Sequence, residues 1–371
     1  MTSKTASEYE AVKRAAQQFA EAELGPRASV IDEASQFPLE KLPQMTELGF
    51  LGVNVASEFA GAGMDTLCFV ALLEETAKQS ASTAVCLLVH NAGVATVLQQ
   101  YASPALQKAF LNRLTAGESL GAFALSDSTL EPTLKGASMR AQHVDGHYVL
   151  EGEKVFVVNA TMANVFMVCA LLEDKHPVLF IASKDEGGLE VGSAQRLMGL
   201  RGAGIGNVAF RNCRLRETAI VGERSGSSMV LVNMLKSLQL GAAAIFLGIA
   251  QASLDVSLAY ANQRFQFGRP IIDFGAVRDM LVSAQAEVRS ARSLLFETAG
   301  RWKSVSKRLW EDVEHVGRAA EKAVLRSVKV GVKVHGGYGY IRDLPVERYA
   351  RDAQVMVALA STWTTQGFAK A

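Results

Sequence analysis

Apolar residues along this chain change their spacing twice. From residue 1 to about 118 they recur every three to four positions, the period of a helix with one buried face. The stretch EYEAVKRAAQQFAEAEL shows this spacing among strong helix formers. FPLEKLPQMTELGF ends at Gly49 and runs into the loop EFAGAGMD. TLCFVALLEETAKQ and TAVCLLVHNAGVATVLQQY are predicted helices, and SPALQKAFLNRLTAGE carries Ser103 as an N-cap, Pro104 at the first helical position and Gly117 near its end. From about 119 to 222 the segments become short, β-branched and alternating: GAFALS, MRAQHVDGHYVLEGEKVFVVN, NVFMVCALLE, PVLFIAS and NVAFRNCRL, with Asp-Gly and Glu-Gly turns between them. From about 223 the helical period returns in long runs. SMVLVNMLKSLQLGAAAIFLGIAQASLDVSLAYANQRF is one long helix or two, DFGAVRDMLVSAQAEVRSARSLLFETAGRWK is another, and EDVEHVGRAAEKAVLRSVKVGVKVHG a third. The fold class predicted is mostly α with a central β domain: an N-terminal helical domain over 1–118, a middle β domain over 119–222 and a C-terminal helix bundle over 223–371.

Composition narrows the partners. The 371 residues are 49% hydrophobic, a globular proportion. Lys and Arg number 38 against 37 Asp and Glu, a net charge of +1, so the basic excess that nucleic acid demands is missing. Cys68, Cys86, Cys169 and Cys213 are far apart, sit in apolar runs and form no CxxC, which predicts reduced, buried thiols and no metal site. MTSKTASEYEAVKRAAQQF lacks the apolar core of a secretory signal, and the tract LGAAAIFLGIA (240–250) is too short to span a bilayer. A soluble cytoplasmic protein without membrane partners is the expectation.

Three glycine-bearing segments carry candidate chemistry. RGAGIG (201–206) is followed by a strand, NVAF, whereas a phosphate-binding glycine loop opens a helix, so it reads as a turn. RFQFGRPI (264–271) sets an arginine beside a glycine turn after a long helix, where its fork of donors suits a phosphate or simply caps a corner. KVHGGYGY (333–340) puts two glycines just past a helix, where a backbone can approach a ligand closely or the helix can end in a left-handed turn. His335 within it has no neighbour at metal spacing and reads as structural.

These segments, with YANQRFQFGRPI, DFGAVRDML, VHGGYGYIRDLPVERYARDA and DGHYVLEGEKVFVVNA in this order, resemble the acyl-CoA dehydrogenase family over nearly the whole chain. The resemblance implies an N-terminal helical domain, a middle β-barrel domain and a C-terminal four-helix bundle, with FAD between the β domain and the bundle and its adenine end reaching a neighbouring protomer. It implies abstraction of an acyl-CoA α-proton by a glutamate, hydride transfer to the flavin, and onward transfer of electrons to an electron-transfer flavoprotein. A weak carbon acid needs such a carboxylate within reach.

The match also shows what is missing. The family's glutamate after the RDA motif falls among Leu359, Ala360, Ser361 and Thr362, with Ala360 in its place. The alternative position on the long bundle helix is Leu238. The run that contacts the flavin reads SDSTLEPT (126–133), with Pro132 where a serine donor is expected and Asp127 where a glutamate lies. Phe156, Val157, Val158 and Asn159 replace a run whose hydroxyl would bond the ring, and Val158 has none. Lys236 and Gln239 stand where an aspartate and an arginine would hold the CoA adenine.

By contrast, Arg264, Gln266, Phe267, Gly336 and Gly337 match positions that reach FAD held by the adjacent protomer, and Lys333 replaces a glutamine there. The resemblance therefore points to the non-catalytic subunit of a heterotetrameric (α2β2) acyl-CoA dehydrogenase, without catalytic residues of its own. Its partner would be a homologous subunit carrying the glutamate, and its substrate an acyl-CoA, a bulky one such as a steroid side chain being favoured. A self-contained flavoenzyme with monooxygenase-like chemistry, a structural or regulatory partner without flavin, and a homotetrameric dehydrogenase with a substituted base (Asp127 or Ser361) are the other readings the residues allow.

Overall fold

The computed structural model describes residues 3–127, 139–173, 176–223, 226–302 and 307–363. The first segment is helical: α1 (Ser3–Phe19), α2 (Ala28–Ala34), α3 (Leu42–Glu47), α4 (Thr66–Gln79), α5 (Ala81–Leu88), α6 (Thr96–Tyr101) and the short turns α7 (Pro104–Leu106) and α8 (Asn112–Thr115). Side chains fix the starts of these helices. Asp65 accepts the Cys68 amide ahead of α4, Ser80 the Thr83 amide ahead of α5, and Ser103 the Leu106 amide ahead of α7, each satisfying a donor that the first turn leaves open. A π-helical stretch, Val89–Ala95, joins α5 to α6. It carries His90, whose ring bridges two backbones: Gly121 N–H donates to Nδ1 at 3.1 Å, so Nε2 holds the hydrogen and donates to the Leu51 carbonyl at 2.9 Å.

The middle segment is one sheet of eight strands, in the order β6-β7-β3-β2-β4-β5-β8 with β1 paired to β4. The strands are β1 (Gly121–Ala124), β2 (Arg140–Val144), β3 (His147–Val157), β4 (Val165–Leu171), β5 (Pro177–Ser183), β6 (Leu189–Ala194), β7 (Gly206–Arg216) and β8 (Ile220–Val221). Successive side chains on a strand point to opposite faces. On β4, Phe166, Val168 and Ala170 therefore enter the sheet's own core with Tyr148, Phe180 and Phe210, while Val165, Met167 and Cys169 join the large helical core. That double burial is why NVFMVCALLE reads as an unbroken apolar run.

The rest is α9 (Ser227–Gln263), the hairpin β9 (Phe265–Gln266) and β10 (Arg269–Pro270), then α10 (Gly275–Gly300), α11 (Lys307–His335) and α12 (Val346–Ser361). The long apolar segment is thus one helix of 37 residues, packed on α4, α10, α11 and α12. Gly248 allows a close approach of backbones, since a Cβ there would lie 2.4 Å from the Glu74 carbonyl on α4. By length and composition both Ala81–Tyr101 and Ser227–Gln263 could cross a bilayer, so the count of eleven apolar residues understated the run. Their apolar windows are 94% and 83% buried inside the protein, as core helices are. All four cysteines are free and buried, and burial pushes their thiols up, Cys68 to about 12 and Cys169 and Cys213 to about 11.

Helix α12 is tied to the other two regions by Arg351 and Asp352. Arg351 binds Asp32 of α2 through two bonds (2.7 and 3.0 Å), Glu347 through two more (2.6 and 2.8 Å) and the Met198 carbonyl at 2.7 Å. Asp352 accepts the Leu200 amide at 2.7 Å, and burial raises its carboxyl to about 6. The RDA segment therefore positions the helix that bears Ala360.

Candidate functional site

The corner that follows α9 folds against the end of α11. The hairpin turn is the pair Phe267-Gly268, both at positive φ (51° and 81°). A two-residue turn with both residues left-handed matches the twist of a hairpin and ordinarily carries Asn-Gly, so phenylalanine at its first position is strained. The end of α11 turns through Gly336, also left-handed at 59°, into a 3-10 turn, Gly336–Tyr340. Between the two lies an open cavity of about 470 Å³ lined by Tyr260, Arg264, Gln266, Gly336, Gly337 and Tyr338, with Ile271, Val334, His335 and Ile341. Residues more than seventy positions apart in sequence thus share one wall.

Arg264 is exposed, its guanidinium carbon 5.9 Å from the Tyr338 ring, with no carboxylate on it among the described residues. Gln266 faces the same space. His335 stacks on Tyr260 with centroids 4.2 Å apart, and its Nδ1 donates to the Gly331 carbonyl at 2.8 Å. Burial lowers its pKa, so the ring is neutral and acts as a wall, as the sequence suggests. Phe267 and Lys333 stand elsewhere. Phe267 is 92% exposed on the cavity's rim, edge-on to Phe274 at 6.2 Å. Lys333 is exposed on the outer side of α11 and does not line the cavity. The rim is also apolar: Phe265 is 59% exposed, Tyr340 77% and Tyr338 51%. Tyr260 and Tyr338 also wall the cavity and are not among the residues predicted from sequence, although helical spacing from Arg264 back to Tyr260 signals a shared face.

The two positions matched to a catalytic base carry no side-chain proton acceptor. Ala360 is half-buried on α12 and packs against the helical core. Leu238 is fully buried. Ser361 donates its hydroxyl to the Ala358 carbonyl at 2.7 Å. Asp127 forms an ion pair at 2.7 Å with Lys154, both almost wholly buried, and Lys154 also donates to the Leu125 carbonyl. Neither Asp127 nor Ser361 is poised as a substitute base.

Val158 is buried in the helical core and offers no donor. Asn159 is turned inward, donating to the Cys86 and Gly121 carbonyls at 3.1 and 2.9 Å. Lys236 is buried, with Nζ 2.7 Å from Glu314 and 3.3 Å from the Trp310 carbonyl. Gln239 donates to the Trp363 carbonyl at 2.8 Å. Each side chain matched to the CoA adenine is thus engaged within the chain. Pro132 and the rest of 128–133 lie outside the described residues.

Family models assign residues 6–118 to "Acyl-CoA dehydrogenase, N-terminal domain", 122–213 to the middle domain and 226–360 to the C-terminal domain of the same family. An acyl-CoA dehydrogenase of Bacillus subtilis is 29% identical over 93% of this chain and 92% of its own length. The acryloyl-CoA reductase (NADH) of Anaerotignum propionicum is 30% identical over 94% and 89%. Among solved structures, the butyryl-CoA dehydrogenase of Megasphaera elsdenii superposes with a TM-score of 0.91 at 26% identity, covering 97% of this chain and 95% of its own. A glutaryl-CoA dehydrogenase in complex with glutaryl-CoA gives 0.90 at 27%, covering 97% and 92%. Sequence, domain order and fold agree over almost the full length: the chain belongs to the acyl-CoA dehydrogenase family.

Proposed function

We propose that this chain is the non-catalytic subunit of a heteromeric, FAD-dependent acyl-CoA dehydrogenase, acting in the cytoplasm. The observation that carries the reading is an asymmetry. Ala360 and Leu238 leave both base positions without a proton acceptor, while Arg264, Gln266, Gly336 and Gly337 line an open cavity at an apolar rim. An α-C–H cannot be deprotonated by a methyl group, so on this reading a homologous partner supplies the carboxylate.

The residues fit one half of the cofactor and not the other. At the position matched to the flavin ring, Val158 has no donor and Asn159 is committed to backbone carbonyls. At the cavity, Arg264 supplies a charged fork for a diphosphate, Gln266 supplies an amide, and Gly336–Gly337 supply close backbone approach. When bound, FAD supplies the hydride acceptor. This chain's part is to orient and neutralise the adenine half of a flavin seated in the partner, with Phe267 closing the rim and Lys333 contributing charge nearby. The substrate class is an acyl-CoA thioester. A subunit with no active site of its own leaves room for a bulky acyl group such as a steroid side chain, and an electron-transfer flavoprotein is the acceptor such a pair uses.

The test is to purify the chain alone and together with a homologue that carries the glutamate, then measure flavin per protomer and turnover on acyl-CoA thioesters. The expected result is a colourless single chain, and a mixed complex with about half a flavin per protomer that turns over. Full flavin content with turnover by the isolated chain overturns the proposal.

A further inference from the structure

We infer that the exposed face of α11 is a docking surface for an acidic face of a different chain, and that its charge opposes pairing with a second copy of itself. This rests on the heteromeric reading above and names the chemistry of the partner. Arg318, Lys322, Arg326, Lys329 and Lys333 are all exposed and follow one another at steps of four, four, three and four residues. At about 100° per residue these five side chains fall within about 80° of arc, and at about 1.5 Å per residue they run for about 22 Å.

Glu287 of α10 answers only part of this charge. Its Oε1 lies 2.7 Å from Arg326 and 3.8 Å from Lys322. Arg318, Lys329 and Lys333 have no ion-pair partner among the described residues; of the acids on the helix itself, Glu314 and Glu321 sit on the flank and Glu311 lies on the same face, seven residues before Arg318. The chain as a whole is near neutral at +1, so the stripe is a local excess and not part of a basic protein.

Two further observations make the stripe part of an interface. It ends at Lys333, next to Val334, which lines the cavity. Beyond it lie the exposed Tyr338 and Tyr340 and, across the cavity, Phe265 and Phe267, an apolar rim of the kind that marks contact with another protein. Where a two-fold axis passes through the stripe, identical chains set stripe against stripe, with four carboxylates, Glu287 and Glu311 of each copy, to offset ten cations. A homologous chain with carboxylates on the facing surface turns the same contact favourable, and a like-charge penalty rejects the wrong partner.

The test uses the full chain and its charge-reversed form, Arg318→Glu/Lys322→Glu/Lys329→Glu, which leaves the cavity residues untouched. Circular dichroism confirms that the variant folds. Self-association and mixing are measured by analytical ultracentrifugation at about 50 and about 500 mM NaCl, between which the screening length falls from roughly 14 to roughly 4 Å. The wild-type chain is expected to self-associate less at low salt than at high salt. A mixture of wild type and variant is expected to form mixed dimers at least about tenfold tighter than either chain alone at low salt, an advantage that high salt removes. The neutral form, Arg318→Gln/Lys322→Gln/Lys329→Gln, is expected to lose the salt dependence of self-association.

Tighter wild-type self-association at low salt overturns the inference, as does a mixture no tighter than its components. Sub-micromolar binding of a single-stranded RNA by the wild type at physiological salt overturns it too, by making the stripe a polyanion site. Flavin content and turnover of the isolated chain are read separately. A yellow, active single chain would remove the heteromeric reading while these association data still judge the stripe.

Discussion

Replacing Arg351 by alanine empties the joint that holds α12 against the rest of the molecule. An arginine has five N–H donors, and Arg351 uses all of them, four on the carboxylates of Asp32 and Glu347 and one on the Met198 carbonyl. Its side chain is only 18% exposed, and those of Asp32 and Glu347 are 10% and 18%. Removing one partner from a buried ion pair costs about 3–5 kcal/mol, because the remaining charges stay desolvated without compensation. Partial exposure places the expected loss near the lower end, about 3 kcal/mol.

Two carboxylates would also face each other across the vacated space, with Asp352 beside them and already raised by burial and, to a lesser degree, by the charge of Asp32. Urea denaturation followed by tryptophan fluorescence measures the loss, and the buried Trp363 reports on the end of α12. Adding Asp32→Asn to Arg351→Ala removes the stranded negative charge. The double variant should therefore recover at least about 1 kcal/mol relative to the single one. A cost below about 1 kcal/mol for Arg351→Ala, or a further loss in the double variant, would refute the assignment of this cluster as the anchor of α12.

Four other outcomes are expected. His90, lowered to about 4 by burial, gives stability that is complete above its unfolded pKa of about 6.5 and is lost as pH falls toward 4, up to about 3 kcal/mol. Asp352, raised to about 6, has the opposite sign, its contribution being full below about 4 and lost as pH rises through 6, up to about 3 kcal/mol. The two nearly cancel in the wild type, so urea titrations from pH 4 to 7 should show a downward slope with rising pH in His90→Gln and an upward one in Asp352→Asn. Gly248→Ala, which drives a methyl to 2.4 Å from the Glu74 carbonyl, should cost at least about 2 kcal/mol in the same assay. Ala360→Glu should leave the isolated chain without turnover on acyl-CoA thioesters, since Val158 and Gln239 are unchanged and a base alone does not seat the flavin or the CoA.

Helices were legible wherever periodicity and a cap coincided. TLCFVALLEETAKQ is α4 to the residue, because Asp65 supplies the cap and Ser80 the stop. The next helix was predicted to open at Thr83 but opens at Ala81. Ser80 both accepts the Thr83 amide and ends α4, a double use that propensity does not separate. The site was legible only through resemblance. Arg264 and Gly336 meet because α9 and α11 pack side by side and both end at one corner, a tertiary fact with no local signal.

Phe267 and Lys333 show the resolution of that reading. In a two-residue turn, one step from Gln266 carries the side chain from the cavity wall to open solvent. On a helix, one step from Val334 back to Lys333 is a rotation of about 100°, from the cavity to the outer face. The internal engagement of Lys236 and Gln239 had no sequence signal either, since it depends on Glu314 and Trp363, which packing brings to them.

The glycines separate what this chain needs for itself from what it offers. At Gly241, Gly248, Gly331 and Gly339 an added Cβ would come within 2.3–2.5 Å of the chain's own atoms, so internal packing alone requires the small residue. Gly336 is held by its left-handed backbone. Gly337 has neither reason, for its φ is unremarkable and nothing of this chain lies within 4 Å of where a Cβ would stand. Alanine there is compatible with the fold and reduces the freedom of the unfolded chain, which ordinarily stabilises by about 0.4–1 kcal/mol. A glycine that the fold does not require, on the wall of a cavity with an exposed arginine and an apolar rim, fits the proposed approach of a group from outside the chain closer than a methyl group allows. Gly337→Ala should therefore leave the isolated chain at least as stable as wild type and still lower the flavin content of the mixed complex. Equal flavin content in the two complexes would remove the cavity from the cofactor's path and leave the glycine without a reason.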